Sequence, residues 1–211
     1  MLNPGRMLIR AFVGAANADQ DTTRLVDCIP PGPSPHAAYI PNVVMYTHQG
    51  QAARFYDDLI RQKIVLINCM STRDKSSCSS NETLVRVQAL IGKELGHSIF
   101  MYSVTTDPEH DTPAILREFA KKCGAKDGWL FLSGDSANLK IVRQRLFTYG
   151  GGQDCSMHLI RYGNEAVGLW GGVMAMTTPE AIAQRLSWIT PEERPSGQPK
   201  RGGPPPLVVE A

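Results

Sequence analysis

The chain has 211 residues, 42% of them hydrophobic and 20% charged, a balance that builds a globular core and excludes wholesale disorder. Lysine and arginine number 22 against 20 aspartates and glutamates, a formal net charge of +2, so composition predicts no nucleic-acid partner. No run reaches the roughly 18 unbroken apolar residues of a membrane-spanning helix, and five cysteines are too few to staple a chain of this length.

The two ends differ from the middle. Residues 7–18 are a short apolar stretch after Arg6, interrupted by Arg10, and Ala16-Asn17-Ala18 has the small-x-small form of a signal cleavage site. The stretch reads either as a truncated signal peptide or as an unstructured leader. Proline and glycine crowd residues 30–41 and 191–206, segments with no periodic face to bury and so expected to stay extended or mobile. The expected organisation is a mobile or leader segment over residues 1–41, one folded domain over 42–190 and a disordered tail over 191–211.

Within the domain, residues 43–48 and 52–56 flank His48-Gln49-Gly50-Gln51 and predict an N-terminal β-hairpin. Asp57-Asp58 reads as a surface turn after it. Residues 64–70 (IVLINCM) are a near-continuous apolar run, the mark of a strand buried on both faces. Ser79 and Glu82 have capping-box spacing and predict a helix starting there, with Leu84, Val87, Ile91 and Leu95 on one face and Gly96 as its stop. Residues 99–105 form the next buried strand.

Thr112 and Pro113 supply a cap and a first-turn proline for a helix whose apolar stripe is Ile115, Leu116, Phe119 and Cys123, ended by Gly124. A short strand over residues 129–132 follows, then a helix capped by Asp135 and carrying Leu139, Val142 and Leu146. Residues 157–162 and 166–170 read as a hairpin across Gly163-Asn164, and Thr178-Pro179 opens a last helix with Ile182, Leu186 and Ile189. The order β-β-β-α-β-α-β-α-β-β-α predicts an α/β domain with a central mixed sheet and helices on both faces. It suits a thioredoxin-like fold better than a doubly wound Rossmann sheet.

Chemistry in such sheets gathers where strands end and helices begin. Residues 71–78 (STRDKSSC) are so placed, and Cys78 falls just ahead of the predicted helix, where free amides, the helix dipole and Lys75 or Arg73 favour a thiolate. A thiolate binds soft metals or attacks disulfides; the bland alternative is a small buried residue in a helix cap. Cys69 lies in an apolar strand and Cys123 on an apolar stripe, so both are expected in the core. Cys28 belongs to the leader, and Cys155, by position alone, is a loop thiol ahead of a strand.

Ser156 and His158, two residues apart, would share one face of a strand. Three other signals point nowhere. Cys69 and Cys78 lack zinc-site spacing, and Gly150-Gly151-Gly152 follows a helix, so it is no dinucleotide fingerprint. Asn81-Glu82-Thr83 matches a glycosylation sequon that the cap reading explains better.

Four segments carry a resemblance: IVLINCMSTRDKSSCSSNETLVRVQ, FMYSVTTDPEHDTP, GWLFLSGD and RYGNEAVG. In order and spacing they resemble the SCO1/SenC/PrrC family of thioredoxin-like proteins over residues 43–189, with residues 105–113 (TTDPEHDTP) the most specific piece. The resemblance implies that fold, copper handling during assembly of the binuclear copper centre of cytochrome c oxidase, and in some members thiol–disulfide chemistry. It also implies work outside the cytoplasm, in the periplasm or a comparable compartment. The family's membrane anchor has no counterpart in this sequence, which a start site placed too far downstream would explain.

The family's copper ligands are a C-x-x-x-C pair after the first buried strand and a distant histidine. Matched residue by residue, the second cysteine is Cys78 and the first falls on Asp74. The histidine falls on Cys155 when Asp154 and Ser156 are aligned; a one-residue shift puts it on Ser156, with His158 nearby. Asp74 removes a soft donor and Cys155 restores one. The resemblance therefore implies a two-thiolate Cu(I) site of Cys78 and Cys155 with Asp74 and His158 peripheral, or a disulfide between the same cysteines.

Three functions follow from this. The first is a copper-binding assembly factor, not an enzyme, acting on an oxidase subunit or another copper protein. The second is a thiol–disulfide reductase or peroxidase with Cys78 as catalytic nucleophile and Cys155 as resolving thiol. The third is a degenerate member that serves as an interaction module without metal or redox activity.

Overall fold

Residues 64–70 offer only Asn68 as a polar side chain, so water can be tolerated on neither face. The computed structural model describes residues 38–149, 153, 154, 156 and 158–190, with 75–80, 149, 153 and 154 described by their backbone alone. In it this run is strand β3 (Ile64–Met70), buried along its whole length.

Around it lie β1 (Val44–Thr47), β2 (Ala52–Arg54), α1 (Lys75–Ile91), β4 (Ile99–Thr105), α2 (Pro113–Cys123), β5 (Trp129–Ser133) and α3 (Ser136–Phe147). A two-stranded ribbon of β6 (Thr148–Tyr149) and β7 (Gln153–Asp154) comes next, then β8 (Leu159–Asn164), β9 (Leu169–Met174) and α4 (Pro179–Ile189). The seven-stranded sheet has the order β2-β1-β5-β4-β3-β8-β9. Its centre, β3, β4 and β5, is parallel, and every other pair is antiparallel.

Two successive crossovers that step the same way across a sheet, each of the usual right hand, lay both helices on one face. Accordingly Leu84 and Val87 of α1, Leu116 and Ala120 of α2, and Ile182 and Leu186 of α4 pack against Ile64, Leu66 and Met70. The alternate residues Val65, Ile67 and Cys69 meet Leu139, Val142 and Leu146 of α3 on the other face, as a side-chain period of two requires. The mixed α/β architecture with helices on both faces is as predicted.

Two buried polar chains pin this core. Trp129 Nε1 donates to Ser103 Oγ (2.9 Å), whose hydroxyl donates to Asn68 Oδ1 (2.7 Å), so the polar groups of three adjacent strands satisfy one another. At the opposite end of β3 the buried Glu165 accepts from the Tyr56 hydroxyl (2.8 Å) and the Gln62 amide (2.7 Å). Burial and the neighbouring Glu165 carboxylate push the Tyr56 phenol up to about 12.

Several boundaries differ from the sequence reading. Helix α1 begins at Lys75, four residues before the proposed capping box, so Ser79 and Glu82 lie inside it and Cys78 is in its first turn rather than ahead of it. Asp74, itself of capping type, immediately precedes the helix. Helix α1 ends at Ile91 and tightens into a 3₁₀ turn (Gly92–Glu94). Gly96 serves close backbone packing instead of a helix stop: a Cβ on Gly128 would lie 2.3 Å from the Gly96 nitrogen.

Asp57-Asp58 belong to a π-helical turn (Phe55–Ile60) that buries Phe55, Tyr56, Leu59 and Ile60, with Asp58 Oδ2 accepting from the Arg54 amide at 2.6 Å. Asp135 holds the N-cap position of α3 without a side-chain bond to it. The β8–β9 turn is not Gly163-Asn164 but the 3₁₀ segment Glu165–Val167 closed by Gly168. Gly163 stays in the strand because the Trp170 ring covers it, and the side chain of Asn164 donates to the Ile189 carbonyl (2.7 Å).

The stripe of α2 is rotated toward Leu116 and Ala120, leaving Ile115 exposed and Cys123 half-buried rather than in the core; Cys69 is in the core as expected. Asn81 is buried within α1, where a glycan has no room. The leader through residue 37 with Cys28, the tail from residue 191, Gly150-Gly151-Gly152, Cys155 and Met157 lie outside the described residues. Among the described residues, no helix is long and apolar enough to cross a membrane.

Candidate functional site

Strand β3 delivers the chain at Met70 into residues 71–74, and α1 starts at once. The turn is tight: the Asp74 amide donates to the Ser71 carbonyl (3.3 Å) and the Arg73 amide to Ser71 Oγ (3.3 Å). Asp74 stands half-buried just before the helix, and Cys78 is its fourth residue. The first four amides of any helix lack intrahelical acceptors and carry the positive end of its dipole, a setting that favours a thiolate.

The neighbouring strand β4 ends at the same level, and its loop holds the first one in place. Asp111 is fully buried between them. Its Oδ2 accepts from the Thr105 hydroxyl (2.5 Å) and the Thr72 amide (3.2 Å). Its Oδ1 accepts from the Thr72 hydroxyl and lies 3.0 Å from His110 Nδ1. Burial pushes the Asp111 carboxyl up, but the hydrogen bonds from Thr105, Thr72 and His110 outweigh it and hold the group below its ordinary value.

A second tie, on the outside, joins the Arg73 guanidinium to Asp107, with Nε 2.9 Å from Oδ2. The two loops are thus clamped by one buried carboxylate and one exposed ion pair. Thr112 then caps α2 as predicted, its hydroxyl accepting from the Ile115 amide at 3.4 Å, with Pro113 in the first turn and Gly124 left-handed at the end.

The third approach to this end of the sheet comes from β8. It runs antiparallel to β3, with Asn68 opposite Ile160 and Ile64 opposite Asn164, so the chain enters β8 beside the carboxyl end of β3. His158, one residue before the strand, is exposed, and its carbonyl accepts from the Ala175 amide at 2.8 Å. Ser156 is buried. The expectation that Ser156 and His158 share a strand face is corrected, because β8 starts only at Leu159 and both residues belong to the turn before it.

Of the proposed ligands, Asp74 and His158 are thus described in full, Cys78 by its backbone in the first turn of α1, and Cys155 lies outside the described residues. Among the described residues, no three His, Cys, Asp or Glu side chains are grouped to hold a metal ion. One turn beyond Cys78, the Asn81 side chain is buried, and neither its Oδ1 nor its Nδ2 has a hydrogen-bond partner among the described residues.

The Asp111 clamp escaped the residue-level reading, although its segment was the most specific part of the resemblance. The available signal was an aspartate directly ahead of a capped, proline-started helix, a few residues after a buried strand that ends in a threonine.

The SCO1/SenC family profile matches residues 41–156 of this chain. Copper-bound ScoI of Bradyrhizobium japonicum superposes with a TM-score of 0.55 at 20% identity, covering 70% of this chain and 96% of that one. A SCO1/SenC family lipoprotein from Bacillus anthracis gives 0.58 at 14% identity, covering 71% and 94%. BsSco, described as a Sco-family cytochrome c oxidase assembly protein with a disulfide switch, gives 0.56 at 16%, covering 69% and 89%. No individual curated sequence matches this chain significantly. The structural likenesses establish the fold, which is thioredoxin-like as predicted. With the profile spanning more than half of the 211 residues, the chain belongs to the SCO1/SenC family.

Proposed function

We propose that this protein is a Sco-type copper-binding protein that holds Cu(I) as cargo between the thiolates of Cys78 and Cys155 and passes it to the copper centre of cytochrome c oxidase or to another copper protein. Its place of work is outside the cytoplasm, a reading supported by the lipoprotein relative from Bacillus anthracis. Copper in the Bradyrhizobium ScoI and the assembly role named for BsSco support the ligand and the partner. The observation that carries the reading is the antiparallel register of β8 on β3. It sets the start of β8, with His158 one residue before it, beside the end of β3 from which α1 departs.

The donor set fits this cargo. Two thiolates are soft ligands of the kind Cu(I) prefers, while the carboxylate of Asp74 and the imidazole of His158 suit Cu(II) better and stay peripheral. The role of the Asp111 clamp is to hold the loop of residues 71–74, and with it the start of α1, against the neighbouring strand.

Competition between the reduced protein and a chromogenic Cu(I) chelator tests the proposal. The wild-type protein is expected to retain a single equivalent of Cu(I), and Cys78→Ser and Cys155→Ser each to lose it. Equal retention by wild type and Cys78→Ser, or no retention by reduced wild type, would overturn the reading.

A further inference from the structure

The two edges of the seven-stranded sheet are built differently. At one edge β2 is three residues long, ends in Arg54 and runs straight into the turn that carries Asp57 and Asp58. A short strand flanked by charge resists pairing with another chain. At the other edge β9 is six residues long, LWGGVM, and pairs with β8 along its whole length without a bulge. It contains no charged residue and no proline, so the usual devices that blunt an edge strand are missing from it.

The ladder fixes which backbone groups of β9 face outward. The Ala175 amide donates to the His158 carbonyl at 2.8 Å, so in the alternating pattern of an antiparallel pair the amides and carbonyls of Leu169, Gly171 and Val173 face β8. Those of Trp170, Gly172 and Met174 face away from the sheet. Among the described residues, only the Met174 carbonyl in this row has a partner, the Thr177 amide at 2.9 Å. Gly172, in the middle of the row, is exposed and has no side chain to shield the backbone beside it.

Such a row is its own complement. A two-fold axis perpendicular to the sheet sets a second β9 antiparallel to the first, with Gly172 opposite Gly172 and Trp170 opposite Met174. Every outward amide then meets an outward carbonyl, the Met174 oxygen using its second lone pair. Trp170 and Met174 stand on the same face of the sheet by the strand period of two, so the thioether of each copy comes to lie beside the indole of the other.

The surroundings of this edge are apolar: Val167, Leu169, Met174 and Met176 are 57%, 51%, 52% and 88% exposed. Covering them along with the strand removes on the order of 1,000 Å² from water over both copies, the lower end for a specific interface and the size of a reversible dimer. A peptide from another protein would need charge to select it, and β9 offers none, whereas a second β9 matches by symmetry. We propose that this edge is a homodimer interface, in which two β9 strands pair antiparallel about Gly172 and the two sheets become one. The interface is independent of the copper reading.

Sedimentation equilibrium and amide hydrogen exchange of the full chain, from micromolar to millimolar concentration, test this together. A monomer–dimer equilibrium is expected, with the Trp170 and Gly172 amides exchanging at least about tenfold more slowly in the dimer than in the monomer, and Gly171 and Val173 protected in both. Met174→Glu sets a carboxylate against the indole of the other copy, and Gly172→Asp sets two like charges opposite each other on the axis. Each should raise the dissociation constant at least about tenfold, with continued protection of Gly171 and Val173 reporting an intact β8–β9 pair. A chain that stays monomeric throughout would overturn the proposal. So would a dimer in which Trp170 and Gly172 exchange as fast as in the monomer, or one that both variants leave equally tight.

Discussion

Replacing Asp111 by alanine removes the acceptor on which the two site loops converge. Four donors lose their partner: the Thr72 amide, the Thr72 hydroxyl, the Thr105 hydroxyl and His110 Nδ1. The hydroxyls can rotate toward other acceptors, but the Thr72 amide is fixed by the backbone and is left unpaired in a half-buried site. Hydrogen bonds to a charged acceptor contribute about 1.5–3 kcal/mol each, and several lost together, less what the freed hydroxyls recover, come to about 3–5 kcal/mol. Asp111→Ala should therefore lower the unfolding free energy by about 3–5 kcal/mol, read from urea denaturation at neutral pH.

Asp111→Asn keeps the shape and one acceptor oxygen and should cost about 1–3 kcal/mol. The pH dependence follows from the depressed native value of Asp111. As pH falls below the ordinary 3.8, the unfolded chain takes up the proton before the native one. The stability contributed by Asp111 is therefore present above that pH and is lost as pH falls through the native value. Asp111→Asn should remove this component, so the stability difference between wild type and variant should shrink on acidification in that window. A loss below about 1 kcal/mol for Asp111→Ala, or a pH-independent difference, would refute the clamp.

Other perturbations probe the frame behind the site. Gly128→Ala places a Cβ 2.3 Å from the Gly96 nitrogen at a φ of +93°, and should cost about 3 kcal/mol or more; unchanged denaturation would contradict the close packing. Trp129→Phe leaves Ser103 Oγ without its donor and removes buried ring volume, for a loss of about 1–3 kcal/mol by urea denaturation. His48 is held below its ordinary 6.5 by burial and by Arg117, and its Nδ1 accepts from the Phe131 amide at 3.1 Å. The unfolded chain is therefore protonated first as pH falls below 6.5, stability declines through that window, and His48→Gln should flatten the decline.

The strands and capped helices were legible because each rests on a local rule. Continuous burial marks β3, and Thr112-Pro113 and Thr178-Pro179 fix the starts of α2 and α4 to the residue. The errors fall where distant contacts overrule local preference. Gly163 looked like a turn residue but is a bare strand position under the ring of Trp170, and Gly96 looked like a helix stop but faces Gly128. The start of α1 was misplaced because Asp74 and Ser79 are both good capping residues, and Lys75, not the capping box, begins the helix.

At the site, the sequence carried the residue types and the loop after β3. The buried Asp111 that ties this loop to β4 could not be read from spacing, since Thr72 and Asp111 are 39 positions apart and only the parallel pairing of β3 and β4 brings them together.

The claim on which the function rests is that Cys78 and Cys155, 77 positions apart, share one site. Mild oxidation of the native protein, blocking of remaining thiols, proteolysis and mass spectrometry would test it most directly. A Cys78–Cys155 cross-linked peptide as the dominant product, suppressed when Cu(I) is bound first, is the predicted result. Both cysteines recovered as blocked thiols, or cross-linked to other partners, would contradict it.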